Sequence, residues 1–202
     1  MPEQPIAHVV DDDAAIRDSL QWLLRSRGVE ARTWPSGEAF LEALPEGARG
    51  CVILDVRMEG MSGVEVFDRL LARGCRLPVI FLTGHGEVQM AVAALKRGAF
   101  DFVEKPFNDN QLVDRVIKAI QFDEAARRKH EDEANVTALL ALLTPREREV
   151  MDRVLAGDAN KEIAEALGIS VRTVEVHRSR VFEKTGVDSA VELARLVGRL
   201  NS

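Results

Sequence analysis

Cys51-Val52-Ile53-Leu54-Asp55-Val56 is an apolar run broken by one carboxylate, and no other stretch constrains the fold as much. A β-branched run without polar alternation reads as a strand buried on both faces, the environment of a central strand in a parallel sheet. Two other apolar runs end in polar groups: 6–10 at Asp11-Asp12-Asp13, and 79–82 at Thr83. A fourth, 100–103, is followed by Lys105-Pro106. In open parallel sheets, ligands sit beyond the carboxyl ends of the strands. If these strands are parallel neighbours, one rim gathers carboxylates, a hydroxyl and an ammonium. That set suits a divalent metal and a phosphoryl group, with Asp55 as the candidate acceptor.

The stretches between the runs have helical periodicity. The first, 14–27, carries Ile16, Leu20, Leu23 and Leu24 on one stripe and closes at Gly28. A short strand is predicted at 29–33, then a helix through Phe40, Leu41 and Leu44 that stops before Pro45. Further helices are predicted at 64–72, at 88–97 and from 108 onward. Five strand–helix units predict an α/β domain, a parallel sheet with helices on both faces and right-handed crossovers. From Gln111 to Lys129 there is neither Gly nor Pro, and the stripe Leu112, Val113, Val116, Ile117, Ile120 fades into charge. Residues 122–143 read as a semi-rigid, helix-prone connector whose charges lie on a solvated face. At Thr144-Pro145-Arg146-Glu147 a capping box with proline at the first helical position opens a new pattern. Helices at 145–156, 161–167, 171–183 and 189–200, separated by Gly157, Gly168 and Gly186, predict an all-α, four-helix domain. The expected organisation is therefore 1–121, 122–143 and 144–202.

A chain of 202 residues has room for two such domains. Its net charge of −6 divides as −4, −2 and 0 over the three segments, which argues against a general nucleic-acid coat. The neutral last segment can still bind DNA if its cations share one face. Cys51 and Cys75 form no Cys-x-x-Cys pair and read as reduced thiols. The N-terminus lacks a basic region followed by an apolar stretch, and no run approaches the ~18 apolar residues of a membrane span. The expectation is a cytoplasmic protein with no membrane partner.

Taken singly, each polar group at the rim has an ordinary reading, because a helix N-terminus attracts Asp as cap and dipole partner. Their occurrence at four successive strand ends is what points to chemistry. Val9-Val10-Asp11-Asp12-Asp13, the strand ending at Asp55, Leu82-Thr83-Gly84 and Glu104-Lys105-Pro106-Phe107 together resemble a two-component response-regulator receiver domain. The resemblance covers about residues 5–122 and implies a flavodoxin-like, doubly wound five-stranded sheet of order 2-1-3-4-5. It implies that Asp55 is the phosphoacceptor and that Mg²⁺ is held by Asp12, Asp55 and the backbone carbonyl of Arg57, with Asp11 assisting. Thr83 and Lys105 would contact the phosphoryl group, and Phe102 stands at the family's rotating aromatic switch position. Asp13 is assigned to the helix cap. Arg57 and His85 occupy positions that tune dephosphorylation in the family. One departure stands out: four residues after the phosphoacceptor the family usually has proline, and this chain has Glu59.

In the last segment, Asn160 to Leu167, a turn at Gly168-Ile169-Ser170, and Val171 onward form a helix–turn–helix pattern. The second helix offers Arg172, Arg178, Arg180 and Lys184 for phosphates, which position without reading sequence, and Glu175, Val176 and Ser179 for base edges. An ordinary amphipathic surface helix is the competing reading. His177 has no second His or Cys at ligand spacing and is not assigned to zinc. Leu143-Thr144-Pro145-Arg146-Glu147-Arg148-Glu149-Val150, Asn160-Lys161-Glu162-Ile163-Ala164 and Thr173-Val174-Glu175-Val176-His177 resemble the LuxR-type DNA-binding domain. That resemblance implies that Thr173 and Lys161 also touch phosphates and that the last helix, with Val191, Leu193, Ala194 and Val197, supports pairing on DNA.

The whole chain resembles a FixJ-type member of the NarL/FixJ family. The expected function is a transcriptional regulator phosphorylated at Asp55 by a sensor histidine kinase with Mg²⁺. It would dimerise on phosphorylation and bind double-stranded promoter DNA, with RNA polymerase as a candidate further partner. No enzyme activity is expected beyond self-phosphorylation and autodephosphorylation at Asp55. Two rivals stay open here: a Mg²⁺-dependent phosphatase or phosphotransferase using Asp55 as nucleophile, and a binding module that works without phosphorylation.

Overall fold

The computed structural model of the chain describes residues 4–84 and 88–200. Its contacts divide the chain into two units, Met1–Ala126 and Arg127–Ser202. The first unit alternates strand and helix: β1 (Ile6–Val10), α1 (Ala14–Ser26), β2 (Ala31–Trp34), α2 (Gly37–Ala43), β3 (Gly50–Asp55), α3 (Gly63–Ala72), β4 (Val79–Thr83), α4 (Val88–Lys96), β5 (Asp101–Glu104) and the start of α5 (Asp109–Ala141). Every strand pair is parallel and the order is β2-β1-β3-β4-β5, the doubly wound sheet that the sequence predicts. β3 is buried at all of its residues, as its unbroken apolar run requires.

The pleat sorts the strand residues between two cores. Ala7, Val9, Cys51, Ile53, Ile80, Leu82 and Val103 face Leu20, Leu23 and Leu24 of α1 and Leu112, Val113, Val116 and Ala119 of α5. Val10, Val52, Leu54, Val79 and Phe81 face Phe40 and Leu41 of α2, Val66, Phe67 and Leu70 of α3, and Ala94 of α4. β2 starts at Ala31, two residues later than predicted. Val29 instead gives its N–H to the Leu24 carbonyl, closing α1 after Gly28 rather than entering the sheet.

The connector is helical, as its sequence predicts, and differs only at Asp123. Helix α5 runs unbroken for 33 residues and takes up most of the segment predicted as a linker. Asp123, expected on a solvated face, is only 3% exposed and accepts the Gly50 backbone N–H at Oδ2, 2.9 Å away. Gly50 is fixed as glycine by its surroundings: φ is +117° and a Cβ would stand 2.0 Å from the Ile6 carbonyl oxygen. The carboxylate thus anchors the first residue of β3, and its charge adds to burial in pushing the Cys51 thiol up to about 12. Both cysteines are free thiols.

The second unit contains the end of α5 and α6 (Pro145–Ala156), α7 (Asn160–Leu167), α8 (Val171–Thr185) and α9 (Ala190–Gly198). The Thr144–Glu147 capping box that opens α6 forms in both directions. Leu143, Val150, Met151, Val154, Ile163, Val174, Val181 and Leu193 make the core. Among the described residues no helix is long and apolar enough to cross a membrane.

The two tryptophans, both in the first unit, have opposite environments. Trp22 is 74% exposed on α1, whereas the Trp34 Nε1–H donates to Nδ1 of buried His8 at 3.2 Å. His8 also lies against the Trp34 and Phe40 rings, and burial, with the nearby Arg32 charge, lowers its pKa from 6.5 to about 4. Between those values the unfolded chain takes up a proton that the folded chain refuses, so stability falls as pH drops through that window. Urea midpoints measured from pH 7 to 5 should decline for the native chain and decline less steeply for His8→Phe. Asp123→Ala leaves the Gly50 N–H unpaired and should destabilise the first unit by about 1–3 kcal/mol in the same assay.

Candidate functional sites: an acidic rim and a cationic helix face

The register places Val10 beside Leu54, Asp55 beside Leu82 and Thr83 beside Glu104, so the predicted rim residues do share one carboxyl edge. Lys105, which follows β5, reaches across it. Its Nζ lies 2.5 Å from Asp55 Oδ1 and 2.9 Å from Asp11 Oδ2. Both carboxylates are buried. Burial raises the Asp55 pKa and the Asp11 charge pushes the same way, while the Lys105 bond and the Arg57 backbone N–H pull it down. Burial alone would lower Lys105, but bonds to two carboxylates outweigh it and hold the ammonium above its ordinary value. The site places the Asp55 carboxyl group beside a fixed positive charge.

Each neighbour has a local reason for its place. Asp11 Oδ1 accepts the Asp13 N–H at 2.9 Å, and the Arg17 guanidinium donates to the Asp11 carbonyl at 2.7 Å. Asp13 caps α1 through the Ala15 N–H, the role expected of it. Asp12 is exposed, and its Oδ2 accepts the Glu59 N–H at 2.9 Å. Thr83 is fully buried, with a long 3.5 Å donation to the Val103 carbonyl. Phe102 is half-buried against the core of the α2–α4 face, and the Arg115 guanidinium donates to its carbonyl. His85 lies outside the described residues.

Among the described residues no three carboxylate, His or Cys side chains are gathered tightly enough to hold a metal by themselves. Asp11 and Asp55 bond to Lys105, and Asp12 accepts from the Glu59 N–H. The donor chemistry nevertheless fits Mg²⁺, which takes hard oxygens and typically needs one or two carboxylates beside waters and phosphate. Asp12, Asp55 and the Arg57 carbonyl are the groups that would hold it.

Sequence reasoning passed over Gly63. A Cβ there would stand 2.1 Å from the Asp55 carbonyl oxygen, so only glycine lets α3 start directly beneath the phosphoacceptor candidate. Its N–H donates to the Val56 carbonyl at 3.0 Å. A glycine eight residues after Asp55 was the available signal.

In the second unit, α7 ends at Gly168 with φ +63°, and Ser170 caps α8 through the Thr173 N–H. Ile163, Val174 and Val181 are buried, which turns Arg172, Glu175, Val176, Ser179 and Arg180 outward at helical spacing. Lys161 is also exposed, and the Arg172 side chain is 85% open. Thr173 is half-buried, its hydroxyl 2.8 Å from that of Ser170.

Two of the predicted phosphate contacts have intramolecular partners. Lys184 turns inward, bonding Glu147 Oε2 at 2.6 Å and the Leu142 carbonyl at 3.1 Å, because the capping carboxylate is almost wholly buried and draws the ammonium. Arg178 donates to Asn160 Oδ1 at 2.7 Å and stacks over Phe182, so it joins α8 to the start of α7. His177 Nδ1 is buried without a hydrogen-bond partner.

Two family descriptions match the chain: "Response regulator receiver domain" over residues 7–117 and "Bacterial regulatory proteins, luxR family" over 141–197. The C4-dicarboxylate transport transcriptional regulatory protein DctR of Rhodobacter capsulatus is 53% identical over 191 residues, which is 94% of this chain and 97% of the relative. The response regulator StyR has a similar solved structure, with a TM-score of 0.89, 38% identity, and coverage of 98% and 100% of the two chains. Full-length FixJ from B. japonicum is similar too, at a TM-score of 0.63, 43% identity and 98% coverage of both chains.

The Lys184 bond, then the Thr144 N–H, hold Glu147 down from 4.5 to about 2. Because the folded value is the lower one, the stability this provides is complete above pH 4.5 and is lost as pH falls toward 2. Acid titration followed by circular dichroism should show this loss in the native chain, and Glu147→Gln should be less stable at neutral pH with a shallower acid transition.

Proposed function

Because the chain belongs to the two-component response regulators, joining a receiver domain to a LuxR-type DNA-binding domain in one transcriptional regulator, we propose that phosphorylation of Asp55 switches its binding to promoter DNA. The observation that supports this most directly is the Lys105 ammonium bridging Asp55 and Asp11 at the rim of the parallel sheet. A partner histidine kinase presents a phosphoryl group, and an Asp55 oxygen attacks its phosphorus in line as the bond to the donor nitrogen breaks. The product is an acyl-phosphate on Asp55. Lys105 neutralises the charge on the transferred group, a contribution of the kind that dominates phosphoryl transfer. Asp12, Asp55 and the Arg57 carbonyl, with Asp11 nearby, would hold Mg²⁺, which would supply further neutralisation.

The added charge and acceptor oxygens draw the Thr83 hydroxyl toward the phosphoryl group and Phe102 inward. The face carrying α4, β5 and α5 then favours pairing of two copies. The receiver domain occupies 1–121, a helical connector whose Asp123 bonds back to Gly50 follows over 122–143, and the DNA-binding domain occupies 144–202. On DNA, Lys161, Arg172, Arg180 and Thr173 meet phosphates, and Glu175, Val176 and Ser179 face base edges in the major groove. Arg178 and Lys184 serve the domain's own packing.

The test is light scattering and a DNA-shift assay with and without beryllofluoride and Mg²⁺. The mimic should double the mass and tighten DNA binding by about 5- to 150-fold, the usual span of an allosteric coupling. Asp55→Ala should lose both effects. An unchanged mass and affinity in the native chain would sink the switch and favour the phosphorylation-independent module.

A further inference from the structure

The loop from β3 to α3 is held by two carboxylates that belong to other elements. Asp12, just before α1, accepts the Glu59 N–H at 2.9 Å, and Glu38 of α2 accepts the Met61 N–H at 3.1 Å. Between the two amides, Gly60 turns the chain with φ +77°. The Glu59 bond is available because residue 59 is not proline, which has no N–H to give. It joins two segments that carry prospective metal ligands: Asp12 on one, the Arg57 carbonyl on the other.

We propose that Glu59 is a positioning residue of the metal site, acting through its backbone N–H. This rests on the reading of the rim as a Mg²⁺ site. A carboxylate has about four lone-pair positions, so one N–H on Oδ2 leaves Asp12 ample capacity for a cation. The bond limits the rotation of an otherwise exposed side chain, so less freedom is lost when the ion arrives. It also sets the distance between Asp12 and the Arg57 carbonyl in advance. The Glu59 carboxylate, exposed to solvent, contributes only a screened charge.

The experiment titrates Mg²⁺ into the full chain by calorimetry, comparing the native protein with Glu59→Gln, which keeps the N–H and removes the charge, and Glu59→Pro, which removes both. Glu59→Gln should bind within about twofold of native and Glu59→Pro about three- to tenfold more weakly, the range expected for ordering one side chain. Equal weakening in both variants would assign the effect to charge, and native affinity in Glu59→Pro would abolish the role of the N–H; either overturns the proposal. Amide exchange gives a readout that does not depend on the proline variant folding. The Glu59 amide should be protected in the native chain and lose that protection in Asp12→Ala, and a fast-exchanging Glu59 amide in the native chain would also overturn the proposal. A native chain with no saturable Mg²⁺ binding would instead overturn the metal reading of the rim itself.

Discussion

The receiver sheet ends in two buried carboxylates on adjacent strands, and that arrangement is tolerable only because one ammonium lies between them. Two like charges out of water repel strongly and each loses hydration, so an unpaired Asp11–Asp55 couple would neutralise or open the rim. Lys105 prevents both. It arrives from the end of β5, which pairs with β4 and so lies two strands from Asp55, and only a long flexible side chain spans that interval. The order of strands, the buried β3 and the polar residue closing each strand are therefore parts of one electrostatic arrangement.

Much of this was legible because it is encoded in short range. An unbroken apolar run specifies a central strand, a polar residue at its end specifies the rim, and a Ser, Thr or Asp before a helical stripe specifies a cap; Asp13 and Thr144 form the caps the sequence announces. The groups that escaped are those whose partners are distant in sequence. Asp123 looks like one more charge on a solvated helix, and only the fold brings the Gly50 amide beneath it. Lys184 has the right spacing for a phosphate contact, but Glu147 lies 37 residues earlier and claims it. Gly63 reads as an ordinary helix start until the Asp55 carbonyl is placed against it.

In the C-terminal unit the cations of one helix divide between internal bonds and solvent. Arg178 and Lys184 stabilise the helix pair from within, whereas Arg172 and Arg180 on the same helix project outward. An internal ion pair such as Lys184–Glu147, with the Arg178–Asn160 hydrogen bond beside it, fixes the pose of a helix at little net energetic gain, which is useful when the adjacent face must present its side chains at fixed spacing. Phosphate contacts set register, so a rigid scaffold behind the exposed stripe is what turns general attraction into alignment.

The placement of the aromatic side chains gives the molecule an optical asymmetry. The chain has no tyrosine and two tryptophans, one open to solvent on α1 and one beside a buried imidazole. All of its tryptophan emission therefore comes from the receiver. Collisional quenchers reach open Trp22 more readily than half-buried Trp34, while an imidazolium at His8 would darken Trp34 alone. The DNA-binding unit is silent in this window, so its unfolding and docking leave the emission to report on the receiver.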